Sequence, residues 1–150
     1  MGGEITIRPF FPADQERAQE LILAGLSEHF PSFNPELNSD LNNILDNYTR
    51  PGCAFLVAES DGILVGTGAL IVEAEQIGRI VRVSVGVSHR RQGIGRLITD
   101  HLLKLARYYG YRQVVVETND DWFDAIRFYQ QCGFVEYDHS DGEIHMMLRL

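Results

Sequence analysis

Cysteine is almost missing. Cys53 and Cys132 are the only two among 150 residues, and they stand far apart in no metal or redox spacing, which leaves neither a disulfide framework nor a thiolate zinc motif. The five histidines, His29, His89, His101, His139 and His145, are equally scattered, so no metal is expected. Long hydrophobic runs are missing as well: no stretch approaches the ~20 apolar residues of a membrane helix, and the N-terminus has no apolar signal core. The expectation is a cytoplasmic protein with no membrane partner. Repeats, linkers and low-complexity segments are also missing, which fits one domain over residues 1–150.

What is present is an ordinary globular composition with an uneven charge. A hydrophobic fraction of 45% with 10% aromatics argues against disorder. Eight of the 13 basic residues fall between 79 and 112 against one acid, Asp100, so a local balance of +7 sits in a remainder of −15 and the net charge is −8. The acidic remainder would repel a long polyanion, so no nucleic acid is expected, whereas a compact anionic ligand needs only a local positive site. An acidic surround also suits a cationic amine, although a solvated acidic surface explains it equally well.

Periodicity gives the elements. Residues 5–9 alternate and stop at Pro9, as a strand does. Asp14 is read as the N-cap of a helix over 15–29, and Ser39 or Asp40 as the cap of a short second helix through Leu41, Ile44, Leu45 and Tyr48. Strand signals follow at 53–59, 63–73 and 79–87, with connections short enough to require antiparallel neighbours. A helix over 93–109 ending at Gly110, a strand over 113–117, a helix from about 122 to 131 capped by Asp120 or Asp121, and a closing hairpin of 134–137 with 143–150 complete the chain. The order is β-α-α-β-β-β-α-β-α-β-β, an α/β domain whose mixed sheet has about seven strands, with a parallel crossover around the long helix.

The stretch from 80 to 98 carries the chemistry. Apolar residues at 81, 83, 85 and 87 give way to Ile94, Leu97, Ile98 and Leu102 at helical spacing, across a basic turn containing Gly93 and Gly95. A helix start has unpaired N–H groups and the positive end of the helix dipole, and Arg90, Arg91 and Arg96 add charge-assisted donors, so the junction suits a pyrophosphate. The residues after Gly95 are Arg96, Leu97 and Ile98, which match neither a Walker A loop nor a dinucleotide fingerprint.

Arg90-Arg91-Gln92-Gly93-Ile94-Gly95 instead resembles the coenzyme A turn of the GNAT N-acetyltransferase superfamily, Arg/Gln-x-x-Gly-x-Gly/Ala. A second family hallmark, Ala-x-x-Phe-Tyr-x-x-x-Gly-Phe, is matched about 35 residues later by the stretch from Ala125 through Phe128, Tyr129 and Gly133 to Phe134, and two weak motifs in the right order on the right elements reinforce each other. The resemblance covers nearly the whole chain. It implies that Val85, Gly86 and Val87 pair with the pantetheine arm, that residues 90–96 hold the diphosphate, that Tyr129 protonates the departing thiolate, and that acetyl passes directly from acetyl-CoA to an amine of a small molecule or protein. No Cys-His or Ser-His pair suggests a covalent intermediate.

Two departures stand out. The strand before the turn has no carboxylate where many members place a glutamate base, which leaves Glu73 and Glu117, then Glu75, with His29 more remote. Trp122 replaces a frequent asparagine, for which Asn119, expected in the loop after its strand, is the substitute. Phe30, Phe33 and Tyr48 fall in the stretch that shapes the acceptor site in this family. The missing carboxylate keeps open an alternative, an acyl-CoA-binding sensor of the same fold without turnover. Oligomeric state is not encoded in these features, a homodimer being one option.

Overall fold

The computed structural model describes residues 4–29 and 35–150, with the backbone alone for 29 and 35–37. Phe30 and Phe33 lie outside the described residues, as does the side chain of His29. In chain order the elements are β1 (Ile5–Pro9), α1 (Gln15–His29), α2 (Ile44–Tyr48), β2 (Ala54–Ser60), β3 (Ile63–Ala74), β4 (Ile77–Val85), α3 (Ile94–Tyr108), β5 (Gln113–Asn119), α4 (Phe123–Gln131), β6 (Val135–Ser140) and β7 (Glu143–Arg149). Short 3-10 segments lie at Pro12–Asp14, Pro35–Asn43 and Val87–His89. None of the described helices is long and apolar enough to cross a membrane.

Local turn chemistry lays out the hairpins. Asp61-Gly62 and Asp141-Gly142 adopt left-handed pairs, φ +51°/+78° and +53°/+77°, the two-residue turn whose twist suits antiparallel strands. The resulting sheet has the order β1-β2-β3-β4-β5-β7-β6. Every neighbouring pair is antiparallel except β4 and β5, which run parallel on either side of the α3 crossover. The mixed seven-stranded sheet expected from the sequence is therefore present.

Alternation along the strands gives the sheet two apolar faces. On β2, Leu56 and Ala58 join a core with Ile94, Ile98, Leu102 and Ala106 of α3, whereas Phe55 and Val57 join Ala18 and Ile22 of α1 and Ile44 and Tyr48 of α2. Helix α3 lies close to β3 because Gly66 and Gly68 present no side chain. A Cβ on Gly68 would stand 2.4 Å from Ile98 Cγ2, an atom that a β-branched side chain cannot swing away.

Three caps differ from their reading in the sequence. Asp14 ends the 3-10 turn before α1, and its carboxylate accepts the Phe11 N–H at 2.8 Å while pairing with Arg8 and Arg17. It is 1% exposed, and the Arg8 guanidinium holds its carboxyl down at about 2. Asn43, rather than Ser39 or Asp40, caps α2 by accepting the Asp46 N–H at 3.2 Å. Trp122 occupies the N-cap of α4 with no side-chain cap bond, and Asp120 turns to His139 instead.

Candidate active site

The site begins where β4 leaves β5. The two strands pair only through Ile77, Gly78 and Arg79 against Gln113, Val114 and Val115, so residues 80–85 have no strand partner on that side while remaining paired with β3. The wedge is a cleft of about 640 Å³ floored by residues 80–85. Ile22, Gly25 and Leu26 of α1 wall it on one side with Asp40 and Tyr48. Glu117, Thr118, Trp122, Ala125 and Tyr129 wall it on the other.

The distortion in β4 lies elsewhere than the sequence suggested. Gly86 was expected inside the strand and Val87 near its end, but β4 stops at Val85 and Gly86 opens the 3-10 turn with φ −58°. The Gly86 N–H is committed to the Val65 carbonyl at 2.9 Å, and Val87 is 68% exposed. The irregularity is at Arg82, where the register against β3 slips between Thr67 and Ala69 and φ is +57°. Two residues there oppose one, a β-bulge that turns Val83 and Val85 onto the same face as Ile80. Thr67 Oγ1 fastens it by donating to the Arg82 carbonyl at 2.8 Å.

The α3 start fits an anion. Gly93, at φ +81°, forms the N-cap, and the first helical bond runs from the Leu97 N–H to the Gly93 carbonyl at 3.0 Å. The N–H groups of Ile94, Gly95 and Arg96 precede that bond and have no partner among the described residues, which leaves a positive, donor-rich end. A Cβ on Gly93 would meet nothing within 4 Å, and one on Gly95 would make only ordinary contact with Phe128 and Val85. Packing within the protein therefore does not require glycine at 95, and its missing side chain leaves the helix end open to close approach.

The arginines divide. Arg91 and Gln92 are exposed, and neither forms a hydrogen bond or ion pair with a described residue. Arg90 lines the cleft but is engaged: its fork meets Glu28 in two 2.7 Å hydrogen bonds, and its Nε donates to the Val85 carbonyl at 3.1 Å. Arg96 pairs with Asp100 and donates to the Gln131 carbonyl at 3.1 Å, tying α3 to the end of α4.

The acid-base candidates separate in the same way. The Tyr129 ring packs edge-on against Phe128 and Phe134, its hydroxyl has no hydrogen-bond partner among the described residues, and burial pushes the phenol well above its ordinary value. Glu117 lines the cleft, pairing with Arg79 at 2.7 Å and lying 3.4 Å from His145 Nδ1. Glu73 does not line the cleft. It is bound to Arg79 Nε at 2.6 Å, and that guanidinium holds its carboxyl below the usual range. Glu75 sits in the exposed β3–β4 turn. Asn119 is the last residue of β5 rather than a loop residue; it faces Glu143 across the ladder, and its carbonyl accepts the Trp122 N–H at 3.1 Å. Glu117, Glu143 and His145 bring oxygen and nitrogen atoms within 4.8 Å of one another, but the cationic partner of Glu117 there is Arg79.

Sequence reasoning missed the second polar group in the cleft. Arg82 reaches Asp40 through Nε and Nη2 at 3.1 and 2.7 Å and donates from Nη1 to Asn38 Oδ1 at 3.0 Å. Tyr48 donates to Asp40 Oδ2, the oxygen that also accepts from Arg82 Nε, and burial together with that carboxylate pushes its phenol up to about 12. No local signal marks this cluster, because Arg82 is separated from its three partners by 34 to 44 residues. Thr118 also lines the cleft, with a buried Oγ1 that has no hydrogen-bond partner among the described residues.

Comparison with known proteins agrees with this geometry. The sequence model of the Acetyltransferase (GNAT) family matches residues 19–134. Rat N-acetyltransferase family 8 member 2 is 38% identical over 108 residues, 69% of this chain and 48% of the relative. Human N-acetyltransferase 8B is 36% identical over 110 residues, 69% of this chain and 48% of its own. The chain thus spans about half the length of the curated relatives it matches. Among solved structures, a GNAT-family acetyltransferase from Staphylococcus aureus Mu50 superposes with a TM-score of 0.90 at 23% identity, covering 98% of this chain and 99% of that one. PaiA N-acetyltransferase from Thermoplasma acidophilum, solved with coenzyme A, gives 0.85 at 18% identity, covering 98% and 99%. With the split sheet, the open helix start and the match across most of its length, the chain belongs to the GNAT family of acetyltransferases.

Proposed function

We propose that the protein is an acetyl-CoA-dependent N-acetyltransferase that passes acetyl directly to a primary amine of a small molecule or protein. The observation that carries this reading is the open N-terminus of α3, whose Gly95 lies beside Val85 of the wedge where β4 leaves β5, with Tyr129 lining the same cleft and its hydroxyl without a partner among the described residues. The free N–H groups of residues 94–96 and the unpaired Arg91 supply donors for a diphosphate. The unpaired side of residues 80–85 supplies main-chain groups for an extended pantetheine arm, in place of the Gly86 N–H, which is already taken. The name shared by the curated relatives supports nitrogen as the acceptor atom.

In this reading Glu117 accepts the proton that a lysine-like ammonium, with a pKa near about 10.4, must lose before it attacks the thioester. A main-chain N–H of the bulged strand holds the oxyanion of the tetrahedral intermediate. Tyr129 donates to the sulfur as the carbon–sulfur bond breaks. Its burial keeps it a neutral donor, and the same desolvation raises the proton affinity of the thiolate it meets.

The sensor reading draws on one observation, that Glu73 and Glu117 are both tied to Arg79. Release of free thiol, measured with acetyl-CoA and a panel of small amines and N-terminal peptides, separates the two. Turnover on at least one amine is the expected result, and micromolar CoA binding with no turnover on any would favour the sensor.

A further inference from the structure

Five non-glycine residues have left-handed backbone among the described residues. Asp61, Gln76 and Asp141 lie in hairpin turns, and Arg91 lies in the turn before α3. Arg82 alone lies inside a strand, at the bulge on the floor of the cleft. Glycine is the residue that suits the first position of such a bulge without steric conflict, so an arginine there needs an explanation in what its side chain does. That side chain is 18% exposed. It is gripped by the Asp40 carboxylate on two nitrogens, by Asn38 on a third, and by Tyr48 at 3.5 Å from Nε. All three partners belong to the 3-10 segment Pro35–Asn43 and to α2, outside the sheet.

We infer that Arg82 is a positioning residue, a clamp through which Asn38, Asp40 and Tyr48 hold the β4 bulge in its left-handed shape and so fix the main chain of residues 82–85 against the reacting thioester. The inference rests on the transfer reading above for its catalytic consequence and on geometry alone for the clamp. Strained backbone persists only where its surroundings over-determine it. Here Thr67 holds the Arg82 carbonyl from the sheet side, while the fork-shaped guanidinium is held from the helical side. A lysine cannot reproduce that grip, because a single ammonium lacks the planar pair of donors that matches a carboxylate. The clamp also makes the acceptor-side wall and the catalytic floor one mechanical unit.

Three variants of the full chain test this: Arg82→Gly, which suits the left-handed φ but has no side chain to grip, Arg82→Lys, and Asp40→Asn, which keeps the backbone residue and weakens its partner. With CoA affinity near that of the wild type, kcat on an accepted amine should fall by about 10-fold or more in Arg82→Gly, with a smaller change in KM for acetyl-CoA, and Arg82→Lys should recover only part of it. A general structural role would instead lower the melting temperature and leave kcat intact well below it. Amide hydrogen exchange of residues 83–85 gives a readout independent of turnover. Exchange faster by about 10-fold in Arg82→Gly and in Asp40→Asn is expected. Unchanged exchange, or kcat within about twofold of wild type in a folded Arg82→Gly, overturns the clamp. Faster exchange in a protein whose wild type acetylates no amine overturns the transferase reading and leaves the clamp standing.

Discussion

Tyr129→Phe is expected to bind CoA as tightly as the wild type while losing about 10²-fold or more in kcat, the usual scale for a positioned proton donor. The substitution removes one oxygen and leaves the ring, whose edge-on contacts with Phe128 and Phe134, with centroids 5.1 and 5.6 Å apart, keep it in place. Because that oxygen has no hydrogen-bond partner among the described residues, its loss strands no protein group, and the melting temperature should hardly move. The pH profile adds a second check. Burial raises the phenol above its ordinary value, so the donor form persists to higher pH than for a free tyrosine, and a fall in rate below about pH 10 does not come from Tyr129. A folded variant with wild-type kcat would remove Tyr129 from the chemistry.

Glu117→Gln is expected to cost about 10²-fold in kcat/KM for the amine at neutral pH. The deficit should shrink as the pH approaches the amine's own pKa near about 10.4, since an amine that is already neutral needs no base. Glu73→Gln serves as its control. Both carboxylates hold Arg79, but only Glu117 lines the cleft, so the Glu73 variant should retain most of its activity. Equal losses in the two variants would mean that the Arg79 cluster acts only as a brace between β3, β4 and β5, and that the base is some other group.

Most of the fold was legible because its determinants are local. Asp61-Gly62 and Asp141-Gly142 specify their hairpins within two residues, the apolar spacing from Ile94 to Ala106 specifies the α3 stripe, and Gly110 ends that helix at φ +87°. Two of the three misread caps share one cause: an aspartate before a helix is a good cap in isolation, but Asp14 and Asp40 had stronger partners in Arg8 and Arg82. A charged partner brought close by the fold outcompetes a neutral N–H. Gly86 misled for a related reason, since glycine marks the permissive position in a strand, whereas the bulge formed at an arginine held by residues over 40 positions away.

The site was legible in outline and obscure in its polar detail. The glycine turn and Tyr129 stand in motifs of fixed spacing; Tyr129 lines the cleft, and Gly95 of the turn lies beside Val85 of its floor. Glu73 and Glu117 were indistinguishable in sequence, each being an acid on a strand flanking β4; only the three-dimensional arrangement separates them. Arg90 carried the motif's first position, yet in the fold its fork is taken by Glu28, 62 residues earlier, which leaves Arg91 as an arginine of the turn with no partner among the described residues.

The most direct measurement is a calorimetric titration of the protein with CoA and, separately, with pantetheine, which keeps the thiol arm and lacks the diphosphate. If the start of α3 grips the diphosphate, CoA binds at least about 100-fold more tightly than pantetheine, and the gap narrows as salt is raised. Equal affinity for the two at low salt would contradict the assignment of that helix end.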